Sequence, residues 1–230
     1  MASLRKAAQC IGLSGRVSVL GDFYGFRTKV RLRLSLRAQI RLLQGKHIHL
    51  NLIRTAVFDL ARQEEIDYGL QVMRNIYATV NVGIGRIQRF AIPPGHEVID
   101  GDDEAEDLWD EFSVPNTGID VFLVSVITGD ADGKSKVRGS CDKDSKGDSG
   151  CAIQVNDNAH DTGITIGQLI AHEVGHFLGL EHDVVDANLM YRKVPNGGRL
   201  SGGQGGVMVL HCSIDSGCTL RIFRKFIHAG

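Results

Sequence analysis

The chain has 230 residues, of which 43% are hydrophobic and 23% charged, and its formal net charge is −1 at pH 7. Such a composition is that of a globular protein long enough to bury a core in one large or two small domains. The nearly balanced charge argues against a nucleic-acid partner. Because no run of 18 apolar residues occurs, no membrane span is predicted.

Charge is nevertheless segregated along the chain. Residues 1–54 hold eleven Lys or Arg and one acid, whereas residues 97–120 hold ten Asp or Glu and no Lys or Arg. Two solvated surfaces of opposite sign are the favoured interpretation, and a basic arm docked on an acidic partner is the alternative. The N-terminus starts with positive residues but has no apolar segment behind them, so a standard secretory signal is not predicted.

The hydrophobic pattern predicts alternating strands and helices. Strands are expected over residues 29–37, 46–54, 82–92, 119–127 and 151–155. A helix is expected over 59–79, after an N-cap at Asp59, and a short helix around Trp109. Strand 46–54, the helix and strand 82–92 together predict a βαβ unit. The run 119–127 is typical of a central strand covered on both faces, and 151–155 is expected at the sheet edge.

A further helix is predicted in the segment 165–182. Thr165 with Gln168 fits a capping box, so the helix should begin there. Its buried stripe is predicted to be Ile166, Leu169, Ile170, Val174 and Phe177. Gly179 is expected to end the helix, because the residue after a C-cap usually needs a positive φ. Gly175 lies in mid-helix, where alanine is expected to fit if no close packing forbids it.

The segment 172–182 carries three histidines in the pattern His-Glu-x-x-His-x-x-Gly-x-x-His, the first two of them on this helix. His172 and His176 are four residues apart, so their side chains differ by only about 40° around the helix axis and can reach one metal ion. The reversal at Gly179 can return His182 to the same point. Three neutral imidazoles leave the fourth tetrahedral position open, which is the signature of a catalytic zinc site. A surface helix with scattered histidines is the alternative.

Glu173 has a clear role beside such an ion. As general base it would take the proton of zinc-bound water during attack on a carbonyl, and pass it to the leaving amine. The chain is therefore predicted to be a zinc-dependent endopeptidase that hydrolyses peptide bonds. The alternative is a binding or regulatory protein of the same fold that holds zinc without turnover.

The zinc motif, followed by Asn188-Leu-Met190-Tyr191, resembles the metzincin superfamily of zinc metallopeptidases over residues 46–214. Met190 looks like the methionine of the family's Met-turn. The short interval from His182 to Met190 is most similar to the matrixin group. So is the segment 200–211, in which Ser201 and Gln204 match the capping Ser and Gln of that group's C-terminal helix. Asp183 is more like the adamalysins, and Arg192 stands where other groups have a zinc-binding Tyr.

The resemblance implies an α+β catalytic domain with a twisted mixed five-stranded sheet, a backing helix, a zinc-binding active-site helix and a C-terminal helix. Residues 1–45 are then a basic N-terminal extension and 215–230 a C-terminal tail. A protein or peptide substrate would bind along the edge strand 150–156, with residues 191–200 lining the pocket after the scissile bond. The resemblance also implies a secreted protein, and a monomer is expected.

Five cysteines lie at positions 10, 141, 151, 212 and 218. The spacing suggests two local disulfides, Cys141–Cys151 and Cys212–Cys218, and leaves Cys10 unpaired. Disulfides would indicate an oxidising compartment. Five reduced thiols are the alternative.

The polar loop before residue 151 offers a second candidate site. Asp142, Asp144, Gly147 and Asp148 resemble the ligands and glycine of a calcium loop, but Lys146 interrupts them and no Glu closes the loop. A solvated loop is therefore favoured over Ca²⁺ binding. The same loop has no His, which argues against a second zinc ion there, and His47, His49, His96 and His160 have no assigned role.

Overall fold

A computed structural model describes residues 36–141, 146–155, 162–193 and 197–217 of the chain. Its helices are α1 (Leu36–Gln44), α2 (Leu60–Ala78), α3 (Gly101–Phe112), α4 (Gly163–Phe177) and α5 (Gly202–Met208). Its strands are β1 (Lys46–Arg54), β2 (Val82–Ala91), β3 (Val98–Asp100), β4 (Ile119–Val124), β5 (Val126–Thr128), β6 (Gly133–Ser135), β7 (Cys151–Gln154) and β8 (Asp215–Ser216). A short 3₁₀ turn spans Lys146–Asp148.

The main sheet is mixed and has six strands, so the predicted number of five is wrong: five strands follow the order β2-β1-β4-β7-β6, and the two-residue strand β8 pairs with β1. Strands β2, β1, β4 and β7 are parallel, whereas β6 runs antiparallel to β7, and β8 pairs antiparallel with β1. The predicted α+β fold, the βαβ unit β1-α2-β2 and the buried central strand β4 are confirmed. The run 119–127 is interrupted at Ser125, whose N–H donates to the Glu97 carbonyl, so that β5 pairs with β3 instead.

The predicted sheet edge at residues 150–156 is wrong. Strand β7 lies between β4 and β6, and Cys151, Ala152 and Ile153 are fully buried. The edge strand is β6, only three residues long and without the apolar alternation that marks a strand in sequence. It is held by its pairing with β7, a contact between segments about twenty residues apart.

Different helices pack on the two faces of the sheet. Helices α2 and α4 pack on one face, in a core that includes Leu50, Tyr77 and Ile170. Helix α3 covers the other face through Leu108 and Trp109. The predicted buried stripe of α4 is confirmed, because all five of its residues are buried.

Helices α2 and α4 touch through their backbones. A Cβ on Gly69 would lie 2.9 Å from the Gly167 nitrogen, and a Cβ on Gly167 would strike the Gly69 backbone. Nearby, the Tyr77 hydroxyl donates to the Ala171 carbonyl at 2.8 Å. These contacts fix how close α4 lies to the rest of the core, and α4 carries the histidine motif.

The segments that flank the sheet meet at β1. Helix α1 packs on β1 and β2, and the Gly217 N–H donates to the Gly45 carbonyl at 3.1 Å. His49 contacts the Asp215 carboxylate at 3.2 Å. The strand predicted over 29–37 is wrong at residues 36–37, which belong to α1, and its remainder lies outside the described residues. The domain boundaries at residues 46 and 214 stay a prediction.

None of the helices in these described ranges combines the length and apolar character needed to cross a membrane.

Candidate metal centre and substrate cleft

Helix α4 begins earlier than the sequence predicts. Its N-cap is Thr162, whose hydroxyl accepts from the Thr165 N–H, so the predicted cap at Thr165 with Gln168 is wrong. The extra turn packs against α2, where a Cβ on Gly163 would lie 2.8 Å from the Glu65 carbonyl oxygen. This tertiary contact favours the earlier of two competent threonine caps.

The helix ends as predicted, in a turn at Gly179 with φ of 97°. The Gly179 N–H donates to the His176 carbonyl at 2.8 Å, and the Leu180 N–H donates to the Gly175 carbonyl at 3.0 Å. This pair of hydrogen bonds is a Schellman motif, in which the residue after the C-cap is left-handed. The turn reverses the chain toward His182.

Backbone carbonyls from two turns orient two of the histidines. His172 Nδ1 lies 2.7 Å from the Leu189 carbonyl, and His176 Nδ1 lies 2.7 Å from the Leu180 carbonyl. Because a carbonyl only accepts, each Nδ1 carries the proton, and each Nε2 presents a lone pair. The two Nε2 atoms lie 3.0 Å apart. Ligand atoms of His172, His176 and His182 all lie within 4.8 Å of one another.

This arrangement fits a zinc ion. Two lone pairs that face each other at 3.0 Å repel unless a positive charge lies between them. Two nitrogens bound at about 2.0–2.1 Å to one tetrahedral ion would be separated by roughly 3.3 Å, close to the observed spacing. Neutral imidazoles are ligands that zinc prefers, and their second nitrogens are commonly held by backbone carbonyls.

Burial sets the protonation of the site. It lowers the pKa of His172 to about 4, with smaller contributions from His176 and His182. Burial also lowers the pKa of His176, and that of His182, where the Arg192 charge acts in the same direction. The pKa of Glu173 is raised to about 8 by burial, against the opposing charge of Lys134. The imidazoles are thus held neutral, as metal ligands must be.

Met190 lies directly against α4 and is fully buried. A Cβ on Gly175 would lie 2.8 Å from the Met190 sulfur, so the expectation that alanine fits at Gly175 is wrong. Helical propensity favours alanine there, but the close approach of the methionine leaves no space for a methyl group. The same turn supplies the Leu189 carbonyl to His172.

A hydrogen-bond network joins the Met190 turn to α5. The Gln204 side chain accepts from the Asn188 amide at 2.9 Å and from the Ser201 N–H at 2.8 Å, while Asn188 accepts from the Met190 N–H at 2.8 Å. Ser201 caps α5, and with Gln204 it forms a capping box. The predicted capping roles of Ser201 and Gln204 are therefore confirmed, and Gln204 also fixes the Met190 turn.

A cleft of about 810 Å³ opens above the histidines. Its lining includes Glu173 at the centre, Trp109 of α3 on one side, and Arg192 and Lys193 after the Met190 turn. The upper rim consists of β6 and α3, joined by ion pairs of Lys134 with Asp102 at 2.7 Å and Lys136 with Glu106 at 2.9 Å. The sequence gives no signal for β6, so this rim was not predicted.

The disulfide pairing differs from the two predicted local bridges. Cys141 is bonded to Cys212, whereas Cys151 is a buried free thiol and Cys218 lies outside the described residues. Cys151 belongs to the interior strand β7, so its side chain points into the core. Burial raises its pKa well above the ordinary value.

The bridged loop also contacts the end of α4. The N–H groups of Arg138 and Gly139 donate to the carbonyls of His176 and Phe177 at 2.9 and 2.8 Å. His211, buried after α5, donates from Nε2 to the Gly139 carbonyl at 3.0 Å. The disulfide therefore holds a loop that contacts α4. Residue spacing in the sequence could not reveal this role of His211 and Cys212.

Other polar clusters fit metal ions poorly. His47, His49 and Asp215 lie close together, but His49 Nδ1 accepts from the Arg86 N–H at 2.8 Å, so its Nε2 carries the proton and faces Asp215. Asp142 and Asp144 of the predicted calcium loop lie outside the described residues. Lys146 occupies that loop and pairs with Asp120 at 3.1 Å, so nothing described supports calcium.

Solved structures of other proteins share the fold described above. The metalloproteinase-II from Bacteroides fragilis is similar, with a TM-score of 0.51 and 14% identity over 72% of this chain and 53% of that one. A structure described as a chaperone-substrate complex gives a TM-score of 0.53 and 13% identity, over 74% of this chain and 34% of that one. The archaemetzincin of Methanopyrus kandleri is less similar, at a TM-score of 0.49 and 11% identity over 70% of this chain and 93% of that one.

This chain thus spans about half the length of the metalloproteinase-II and a third of the chaperone-substrate structure. At such identities the likeness concerns the fold alone. No protein-family model and no curated protein sequence matches the chain, and the comparisons give no support to the matrixin subgroup.

Proposed function

We propose that the protein is a zinc-dependent endopeptidase. The observation that carries this proposal is the convergence of His172, His176 and His182, with two Nε2 lone pairs facing each other, directly beside a buried carboxyl group. The site opens into a cleft with a free sheet edge on its upper side. Both features are what cleavage of an extended peptide requires.

His172, His176 and His182 would hold the ion, and Leu189 and Leu180 would keep the first two rings in the ligating orientation. A bound zinc ion would supply Lewis acidity, which lowers the pKa of water and polarises a carbonyl group. Glu173 would act as general base toward the attacking water and then protonate the leaving amine, because the charge of a bound zinc ion would lower the raised pKa of its carboxyl group. Glu173 is 5% exposed, so bulk water is largely excluded from it.

The substrate would bind along β6, in place of the strand 150–156 that the sequence suggests. Among the described residues, β6 is paired with β7 on one side and with no strand on the other, so the backbone groups of that other side can pair with an extended peptide. Such a peptide would pass between the upper rim and α4. Arg192 and Lys193 lie in the same cleft, consistent with the expected pocket at residues 191–200.

Within the metallopeptidases we infer a metzincin, since the three histidines, Gly179 and Met190 match that pattern. The matrixin assignment rests only on the interval from His182 to Met190 and on Ser201 with Gln204. The Cys141–Cys212 disulfide supports an oxidising, extracellular compartment. The monomeric state stays a prediction.

Metal content and proteolysis test the proposal together. Protein purified without added metal should hold about one equivalent of zinc, and cleavage of casein should stop with a chelator and return with zinc. Glu173→Ala should keep the zinc and lose at least about 10²-fold in activity. Glu64→Ala, which removes an exposed carboxylate on α2, is the matched control and should behave as the parent.

Two results would overturn the proposal. A chain that takes up no zinc on titration has no such metal site. A chain that binds zinc but cleaves neither casein nor gelatin is the non-catalytic binding protein that the sequence left as the alternative.

A further inference from the structure

The edge strand β6 approaches the active-site helix most closely at Gly133. A Cβ built on Gly133 would lie 2.7 Å from Cδ and 2.8 Å from Cγ of Glu173, and it would also strike Oε1. Real Cβ atoms essentially never come within 3.0 Å of a non-bonded heavy atom from elsewhere in the fold. The Glu173 side chain therefore occupies the space that any side chain at position 133 would need.

Backbone conformation does not explain this glycine. Gly133 does not have a positive φ, so an L-amino acid could adopt its backbone angles without strain. By contrast, the glycines at 129 and 179 do have positive φ. What Gly133 provides is space, and the group that fills the space is the carboxyl of Glu173.

Neither side of the contact can move away easily. Gly133 pairs with Ile153, and the Gln154 N–H donates to the Asp132 carbonyl at 2.8 Å, which fixes β6 against β7. Side chains alternate along a strand, so position 133 shares the α4-facing side with Ser135, whose hydroxyl lies 3.6 Å from the buried Cys151 sulfur. A side chain at 133 would therefore face α4 and could not turn to solvent.

Helix α4 is fixed on the other side of the contact. Its backbone touches α2 at Gly167, and Tyr77 bonds the Ala171 carbonyl two residues before Glu173. The distance between α4 and β6 is thus set by two separate packing contacts. Only the Glu173 side chain is free to give way.

We propose that Gly133 is a positioning residue for Glu173. Because Gly133 has no side chain, the edge strand leaves space for the carboxyl group beside the histidines, where a substrate bound along β6 would pass. This inference rests on the proposed peptidase function. A methyl group at position 133 would push the carboxyl out of this seat, and a displacement of about 1 Å can cost roughly 10²-fold in rate. The three atoms nearest to a Cβ at 133 all belong to Glu173 and none to a zinc ligand, so metal binding should remain.

Kinetics of a double-mutant cycle test the proposal. Gly133→Ala should lower kcat by about 10–100-fold, with KM within about threefold of the parent and zinc content unchanged. Glu173→Ala removes all three atoms that a methyl group at 133 would strike, Cγ, Cδ and Oε1, and should relieve the overlap. The double variant should therefore be no more than about threefold slower than Glu173→Ala alone, because the two changes act on the same group.

Gly139→Ala is the matched control, because it introduces a steric clash with the same helix, α4. A Cβ there would strike the Phe177 ring, at the other end of the loop and away from Glu173. Its effect should be independent of the residue at 173. Relief by Glu173→Ala that occurs with Gly133→Ala and not with Gly139→Ala separates positioning of the carboxyl from general damage to the fold.

Thermal unfolding of the zinc-loaded chain gives a readout that does not depend on activity. Gly133→Ala should lower Tm by at least about 3 °C in the parent, but by much less in the Glu173→Ala background, where no carboxyl fills the space. This comparison remains informative even if Gly133→Ala is poorly active or unstable.

The role of Gly133 is overturned if Gly133→Ala keeps kcat within about threefold of the parent, or if its effects on rate and Tm simply add to those at Glu173. Such additivity, with Glu173→Ala still inactive, would leave the proposed peptidase function intact. Parental cleavage by Glu173→Ala would instead overturn that function, whatever the behaviour of Gly133.

Discussion

The two sides of the cleft are constructed in different ways. The lower side consists of α4 and the turns at Gly179 and Met190, and the hydrogen bonds that orient His172 and His176 lie within the single stretch 172–189. The upper side, β6 with the loop to Cys141, is held by contacts with β7, α3 and the segment after α5. The proposed catalytic geometry requires both sides at a fixed separation.

The difference explains how each side can fail. A local motif such as the Schellman turn depends on one glycine, so a single substitution can disrupt the lower side. The upper side is supported by several weak long-range contacts and one covalent bond. It should lose order gradually, and removal of the disulfide should affect it most.

The largest effect is expected from Gly179→Val, which attacks the lower side. Valine at φ of 97° is strained, so the turn that aims the Leu180 carbonyl at His176 and returns His182 would be distorted. Loss of such an orienting contact costs about 10–100-fold in metal affinity. Competition with a chelator measures that affinity. Gly206→Ala, at an open position of α5, is the control, and parental zinc affinity in Gly179→Val would mean that His182 is not the third ligand.

The next effect concerns the upper side. Replacing both Cys141 and Cys212 by Ser should lower the free energy of unfolding by about 2–5 kcal/mol, because the bridge joins residues 71 apart in sequence. Urea unfolding measures the loss. In the presence of a reductant, parent and variant should become equal. Peptide mapping without reduction should recover the Cys141–Cys212 link, and a Cys141–Cys151 link would contradict this arrangement.

The smallest effect is expected from Gly175→Ala. The added methyl would press on the Met190 sulfur, and overpacking of this kind costs about 1–3 kcal/mol. The free energy of unfolding should therefore fall, whereas Gly206→Ala should gain about 0.5–1 kcal/mol from better helix propensity. If Gly175→Ala were stabilised as much as Gly206→Ala, the contact between Met190 and α4 would be looser than described here.

The sequence was informative where local rules decide the structure. The turn at Gly179, the buried stripe of α4 and the βαβ unit all follow from spacing and residue type within short windows, and the structure confirms them. The capping box at Ser201, which the family resemblance implies, is also present. The close approach of His172, His176 and His182 follows from the same rules.

Prediction from the sequence was wrong where contacts between distant segments determine the structure. β6 has no strand pattern, because Gly133–Ser135 is a strand only through β7. Cys141 and Cys151 are ten residues apart, yet topology places one in a loop and the other inside the sheet. Thr162, and not Thr165, is the N-cap of α4 because α2 packs on the earlier turn. None of these choices is visible without the neighbouring element.

The hydrogen bond between Gly45 and Gly217 brings the two ends of the sheet-bearing segment together. A chain that enters and leaves at one point can be inserted into a surface loop of another protein with little distortion of the host. It can also be closed by a short linker and reopened elsewhere, as a circular permutant. A tag or fusion partner joined directly at residue 45 or at residue 217 would start from the same end of the sheet, where β1 and β8 pair.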